Sequence, residues 1–250
     1  MSVEFFKIPE TDETYRNQIV PIQQAYVKTG LSTNDNFWKN LIFGYLFKFY
    51  NSHTSKRKEL SSKKEDDIKK CIYDWLIQDL EFCGILVVNL ETRTEGIQLG
   101  YDDIKFQTPL WRNQKIYFSF ECKILDSSTT KINDYVYRKE TKTKVADGGL
   151  YRFLINKYAT DKNFGGMIGF IQQGNIQAIM KNLKNAIQNL NLKNKNGQNF
   201  GQLINPDLLN QTIYHNKNTF NSNHVRCDKH TDKITSSIHI YHILFDFANN

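Results

Sequence analysis

Glu121 and Lys123 stand two residues apart in the segment QKIYFSFECKIL. Strand side chains alternate with period two, so both project from one face with Tyr117 and Ser119. Phe118, Phe120, Cys122 and Ile124 share the other face. The preceding segment, GIQLGYDDIKFQ, carries Asp102 and Asp103. If Ile104 and Phe106 face the core, Asp103 faces the opposite side, and a hairpin between the two strands brings it beside Glu121. Two carboxylates and a lysine in one place suit metal-assisted phosphodiester hydrolysis. Hard Mg²⁺ takes oxygen ligands and keeps several waters. It polarises a phosphoryl oxygen and supplies hydroxide. The lysine orients or deprotonates the attacking water, or stabilises charge on the pentavalent phosphate.

An acidic residue two places before a lysine occurs four times: Asp67/Lys69, Asp103/Lys105, Glu121/Lys123 and Glu140/Lys142. On the triplet alone, a cross-strand ion pair on a solvated sheet face, worth a few tenths of a kcal/mol to ~1, is the commoner outcome. Context selects Glu121/Lys123, which sits in a strongly alternating strand preceded, across a short turn, by another acid-bearing strand. Lys69 and Lys105 are expected to be nearly silent to substitution.

Other residues offer weaker chemistry. Gly148-Gly149 opens a helical stretch carrying Arg152 and Asn156, which suits phosphate binding; close packing on the sheet, with Arg152 paired to a carboxylate, accounts for it equally well. His224-x-x-Cys227-x-x-His230 lacks a fourth zinc ligand at a usual distance and reads as surface polar residues. His239 and His242 read as packing. Lys56, Arg57, Lys58, Lys63 and Lys64 form the densest basic cluster and suit a phosphate-tracking surface. The lysines of 181–195 read as a solvated face.

The elements that must position these residues follow from periodicity. Residues 1–33 read as an extended start with Pro9 and Pro21. A buried helix follows, with Phe37, Leu41, Tyr45 and Phe49 at every fourth place. After a polar loop over 51–64, Ser61 or Ser62 caps a second helix over 63–82, with Ile68, Ile72, Trp75, Leu76 and Leu80 in a stripe. Three strands follow, separated by short turns, the second carrying Pro109. The polar stretch 126–146 breaks the pattern. A helix from Gly149, a doubly buried strand GGMIGFIQQG, a helix from Asn175, an exposed loop over 188–202 and a final strand KITSSIHIYHILFDF complete the chain. The order α–α–β–β–β–α–β–α–(β) implies a mixed central sheet flanked by helices.

The chain has 250 residues and a net charge of +7, from 33 Lys+Arg against 26 Asp+Glu. The 17 Phe, 13 Tyr and 3 Trp exclude wholesale disorder. Four scattered cysteines exclude a disulfide scaffold. The start lacks a signal-peptide pattern, and no apolar run approaches a membrane span, so a cytoplasmic protein is expected. The basic balance permits a nucleic-acid partner.

Residues 63–190 resemble the PD-(D/E)XK, or restriction-endonuclease-like, nuclease superfamily. The resemblance runs through KKEDDIKKCIYDWL, GYDDIKF, YFSFECKIL, DGGLYRFLINKYA and GGMIGFIQ. It implies that Asp103 and Glu121 bind Mg²⁺ or Mn²⁺ with the main-chain carbonyl of Cys122, that Lys123 is the catalytic lysine, and that Glu65 is the added helix glutamate. The usual proline before the aspartate is absent and Asp102 stands there, so Asp102 remains an alternative ligand. The expected architecture is one α/β domain over 1–250. A restriction-endonuclease-like core over 61–190 carries a helical extension over 1–60 and a strand-rich extension over 191–250. The expected function is cleavage of DNA, with RNA as the alternative substrate, in restriction or anti-phage defence. Arg152 joins the basic cluster as a nucleic-acid contact, a homodimer or a protein partner in a defence complex is allowed, and no membrane is involved. The rival expectation is a non-catalytic nucleic-acid-binding subunit of a larger complex.

Overall fold

The computed structural model of the chain describes residues 35–79, 82–83, 86–93, 101–107, 117–142, 144–160 and 162–248. The expected extended start, Leu80 and the Pro109 turn lie outside the described residues, as do the side chains of Phe37 and Asp102.

Helix α1 (Asp35–Ser52) is followed by a 3₁₀ turn (Thr54–Lys56) and the short helix α2 (Arg57–Leu60), where the polar composition suggested only a loop. Helix α3 (Glu65–Leu76) begins after Lys64, which makes no side-chain cap, in place of the expected serine cap. Its Ile68, Ile72 and Leu76 are buried, as the stripe requires. Strands β1 (Val87–Arg93), β2 (Tyr101–Gln107) and β3 (Tyr117–Leu125) form an antiparallel meander.

The polar stretch after β3 contains a helix that its composition hides: α4 (Thr129–Tyr135), capped by the Ser128 hydroxyl accepting from the Lys131 N–H. Helix α5 (Gly149–Leu154) leads to strand β4 (Phe164–Ile171), buried along its whole length between two parallel neighbours. Helix α6 (Ile176–Gln188) starts at the Asn175 cap, as expected. A small hairpin of β5 (Leu192–Lys193) and β6 (Asn199–Phe200) then occupies the expected loop. A second 3₁₀ turn (Pro206–Asn210) precedes β7 (Thr219–Asp228) and β8 (Lys233–Asp246).

The result is an α/β fold with a mixed six-stranded sheet in the order β1-β2-β3-β4-β8-β7, parallel at β3–β4 and β4–β8. Period-two alternation divides the core between the two faces. Phe118, Phe120, Ile168, Phe170, Ile243 and Phe245 pack under α1 and α3. Leu125, Met167, Leu244 and Phe220 pack with α4, α5 and α6. No helix among the described residues is long and apolar enough to cross a membrane.

The C-terminal histidines belong to the second face. His224 is fully buried, which corrects its reading as a surface residue. It bonds to Gly201 O (2.7 Å) and to Ser222 Oγ (2.8 Å). Ser222 Oγ reaches His242 Nε2 at 2.8 Å, and His242 Nδ1 meets Tyr135 Oη at 3.0 Å. His242 also stacks on Phe220, with ring centroids 4.3 Å apart. The chain of bonds joins α4, β7 and β8. Burial holds His224 down to about pKa 4 and His242 further below the ordinary range, so both are neutral.

Candidate active site

The β2–β3 ladder stops at Ile104 opposite Phe120. One residue on, the Asp103 carboxylate replaces the ladder: its Oδ2 accepts the Cys122 N–H at 2.7 Å. Asp103 is thus fixed against the backbone between Glu121 and Lys123. Its other oxygen accepts from Lys69 Nζ at 3.0 Å.

Glu121 projects from β3 toward α5 and is fully buried. Its Oε1 accepts from Lys123 Nζ at 2.7 Å and from Arg152 Nη1 at 2.6 Å. Its Oε2 is buried without a hydrogen-bond partner. Burial, together with the nearby Asp103 charge, raises the Glu121 carboxyl to about pKa 7 against the pull of Lys123 and Arg152. Gly149 lets α5 come this close, because a Cβ there would lie 3.1 Å from Tyr135 O and 3.2 Å from Glu121 Cγ. That close packing accounts for the second glycine of the Gly148-Gly149 pair.

Lys123 is the hub. Besides Glu121 it meets Glu65 Oε1 at 3.3 Å and its neighbour Cys122 O at 2.7 Å. Burial works against its charge, but Glu121, Glu65 and Asp103 outweigh that and hold its pKa above the ordinary lysine range. Glu65, in the first turn of α3, accepts the Ile124 N–H at 3.2 Å with Oε2. Burial first, then Asp103, raises the Glu65 carboxyl, partly offset by Lys123. Asp103, Glu121, Lys123 and Glu65 are therefore brought together from β2, β3 and α3, with the Cys122 carbonyl beside them.

Lys69 lies inside the cluster, although its triplet marked it as a bystander. It is buried, and Nζ bridges Asp103 to Asp66 Oδ1 (2.8 Å) and Glu91 Oε1 (3.5 Å). Its pairing with Asp67 in sequence misleads. Its spacing of four from Glu65 on one helix is the signal that puts both on the same face. Lys105 lies buried with Nζ 4.2 Å from the Tyr117 ring centroid, outside the cluster.

Arg152 is built into the site and not spread on a surface. Nε and Nη2 clasp Asp147 at 2.9 and 3.1 Å, and Nη1 also reaches Tyr158 Oη at 3.1 Å. Burial pushes the Asp147 carboxyl up, but the Arg152 bonds and the Gly148 N–H bring it down to about pKa 2. Sequence reasoning missed Arg226 as well. This buried guanidinium donates to the carbonyls of Phe153, Tyr158, Ala159 and Lys162, which fixes the loop carrying Tyr158. A mostly polar strand such as TFNSNHVRCD gave no signal for it.

The basic cluster lies next to the site, since Gln172 Nε2 donates to the carbonyl of Lys63 just ahead of Glu65. Lys63 pairs with Glu59 at 3.1 Å, and Arg57 lies over the Tyr50 ring at 4.2 Å. Lys56, Lys58 and Lys64 are exposed.

Among the described residues, no three His, Cys, Asp or Glu side chains are grouped so as to hold a metal ion by themselves. Comparison of the chain with protein-family models, curated proteins and solved structures gave no match.

Proposed function

We propose that the chain is a metal-dependent nuclease of the PD-(D/E)XK type that hydrolyses phosphodiester bonds of DNA, in restriction or anti-phage defence. One observation carries the reading. Glu65, Asp103, Glu121 and Lys123 converge, and the buried Glu121 keeps one carboxylate oxygen without a partner. The order helix, antiparallel meander, helices, parallel strand agrees with what the resemblance implies.

The residues fit a hard divalent cation. Asp103 on β2, bonded to the Cys122 N–H, and Glu121 Oε2 and the Cys122 carbonyl on β3 are oxygen donors, and Mg²⁺ typically uses one or two carboxylates plus waters. When bound, Mg²⁺ or Mn²⁺ supplies polarisation of a phosphoryl oxygen and neutralises its charge. The chain's own residues do the rest. Lys123 meets the substrate as an ammonium, because its carboxylate neighbours hold the proton on. It therefore stabilises charge that develops on the phosphate and does not act as a base. Glu65 aims that ammonium, while Arg152, clasped by Asp147, fixes Glu121.

The test is cleavage of duplex DNA with Mg²⁺ or Mn²⁺. Lys123→Ala should cut roughly 10²–10³-fold more slowly, the loss typical of one transition-state donor, with DNA affinity nearly intact. A wild-type protein that cuts neither DNA nor RNA with either metal refutes the reading, and so does a Lys123→Ala protein as fast as wild type.

One observation favours the second reading, a non-catalytic nucleic-acid-binding subunit. Lys69, Lys123 and Arg152 already offset the charges of Glu65, Asp103 and Glu121 in a closed ion network. Under that reading the network is structural, and divalent metal adds no stability.

A further inference from the structure

A cleft of about 240 Å³ lies beside the carboxylate cluster, between the start of α3, the end of β3, α4 and the turn ahead of α5. Its lining is almost wholly charged, with only Ile124 and Gly148 uncharged. No aromatic side chain lines it, so it lacks the stacking surface that holds an extruded base. It is smaller than the roughly 300–1,000 Å³ of pockets that enclose a whole small ligand. These features suit one ionic group of a larger molecule.

The balance of charge says which sign. Lys123 is matched by Glu65 and Glu121, and Arg152 by Asp147 and Glu121. Lys131, on α4, has no side-chain partner among the described residues. Arg138 bonds Asp134 at 2.8 Å, but its Nη2 stands 3.7 Å from Asp147, which leaves donors of its five unused. The backbone of Arg138 is locked to Asp147 by a reciprocal pair of main-chain bonds of 2.6 and 3.0 Å. The lining thus carries four cations, Lys123, Lys131, Arg138 and Arg152, against three carboxylates, Glu65, Asp134 and Asp147, and Lys131 is the cation left without a side-chain partner among the described residues.

We infer that this cleft holds the phosphodiester next to the scissile one in a nucleic-acid strand, with Lys131 and Arg138 as its donors. The inference rests on the nuclease reading for the position of the scissile bond, since Lys123 lines both the cleft and the cluster. The anion-binding property itself rests on the cleft alone.

Binding of a duplex is measured without divalent metal, so that nothing is cut, at a series of salt concentrations. Lys131→Gln and Arg138→Gln should each lower the slope of log affinity against log salt, and the two together by about 0.9, the value of the one phosphate they share. With Mg²⁺ present, both should raise KM while kcat stays near wild type. Lys131 has no side-chain partner among the described residues to lose, so its variant keeps the test valid if Arg138→Gln fails to fold. Unchanged slopes overturn the inference. An equal fall in Lys195→Gln, on the β5–β6 hairpin and not in the lining, also overturns it, because net charge alone would then be acting. Wild-type protein without nucleic-acid affinity at low salt overturns it too. A protein whose slope depends on Lys131 but which cuts nothing keeps the phosphate site and removes the nuclease reading, so the two failures are distinguishable.

Discussion

Replacing Lys69 by methionine would leave the Asp103 carboxylate without its ammonium at 3.0 Å, in a spot where the lysine is buried. Breaking one side of a buried ion pair costs on the order of 3 kcal/mol, because the remaining charge stays desolvated. A divalent cation shared by Asp103 and Glu121 would replace the lost charge. Lys69→Met should therefore lower the melting temperature in metal-free buffer, and Mg²⁺ should raise it by more than it raises wild type. The Asp103→Asn/Glu121→Gln protein should show no metal-induced rise, since stabilisation by a ligand requires that the folded state bind it. Thermal melts with and without Mg²⁺ check all three proteins. Equal shifts in wild type and the double variant would remove the metal site and leave the ion network as structure only. The same geometry makes Lys69 a participant where the sequence suggested a bystander. The acid two residues before it was the wrong partner to consider; the acids that hold it come from β1, β2 and its own helix turn.

The central strand imposes its own limits. A Cβ on Gly166 would run into the ring of Phe120, itself buried in the layer under α1 and α3. Gly166→Ala should destabilise by about 1–3 kcal/mol through overpacking, measured by urea unfolding; an unchanged midpoint would show that the ring can give way. The Tyr135–His242–Ser222–His224 chain, which pins α4 to β7 and β8, predicts acid sensitivity. Free histidine titrates near 6.5, whereas burial keeps His224 neutral down to about pKa 4. Between those values the unfolded chain takes up a proton that the folded chain refuses, so stability falls as the pH drops through that window. Above about pH 6.5 the histidines contribute no pH dependence. His224→Asn should lessen the loss of urea stability between pH 6.5 and 4.5 by one histidine's share, that of His242 remaining, and an unaltered pH profile would count against the burial argument. Much of this fold was legible in the sequence. β3, β4 and α6 announce themselves because a strict period, of two or of 3.6, coincides with apolar side chains. α4 and β7 were hidden for one shared reason. Their inward positions are partly polar (Tyr135, Ser222, His224, Arg226), and they are satisfied by partners far away in the chain, which no local pattern reveals. The pairing of Asp103 with β3 was readable from alternation; the Arg152–Asp147 clasp was not, because it depends on how a six-residue helix sits on the sheet.

At the scale of the whole molecule, a net charge of +7 matters for binding only where it is concentrated. The segment 56–64 runs directly into Glu65, and Gln172, just past the end of β4, holds its Lys63 carbonyl. A strand of nucleic acid following these lysines into Glu65 would therefore arrive at the cleft that Glu65, Lys123, Lys131 and Arg138 line. The five basic residues are not equal in this. Lys63 is occupied by Glu59 and Arg57 by the face of Tyr50, while Lys56, Lys58 and Lys64 are exposed. Each exposed lysine that neutralises a duplex phosphate contributes about 0.9 to the fall of log affinity with log salt. Substituting Lys56, Lys58 and Lys64 with alanine should lower that slope by up to about 2.7 in total, three such contributions. Substituting Arg57 and Lys63 as well should change it little further. The three-site variant should also cleave more slowly when DNA is below saturation and recover as DNA is raised, because delivery is impaired and the reacting groups are intact. A rate deficit that persists at saturating DNA would mean that the segment acts on α3 and the position of Glu65. An unchanged slope would route the nucleic acid along another face of the molecule.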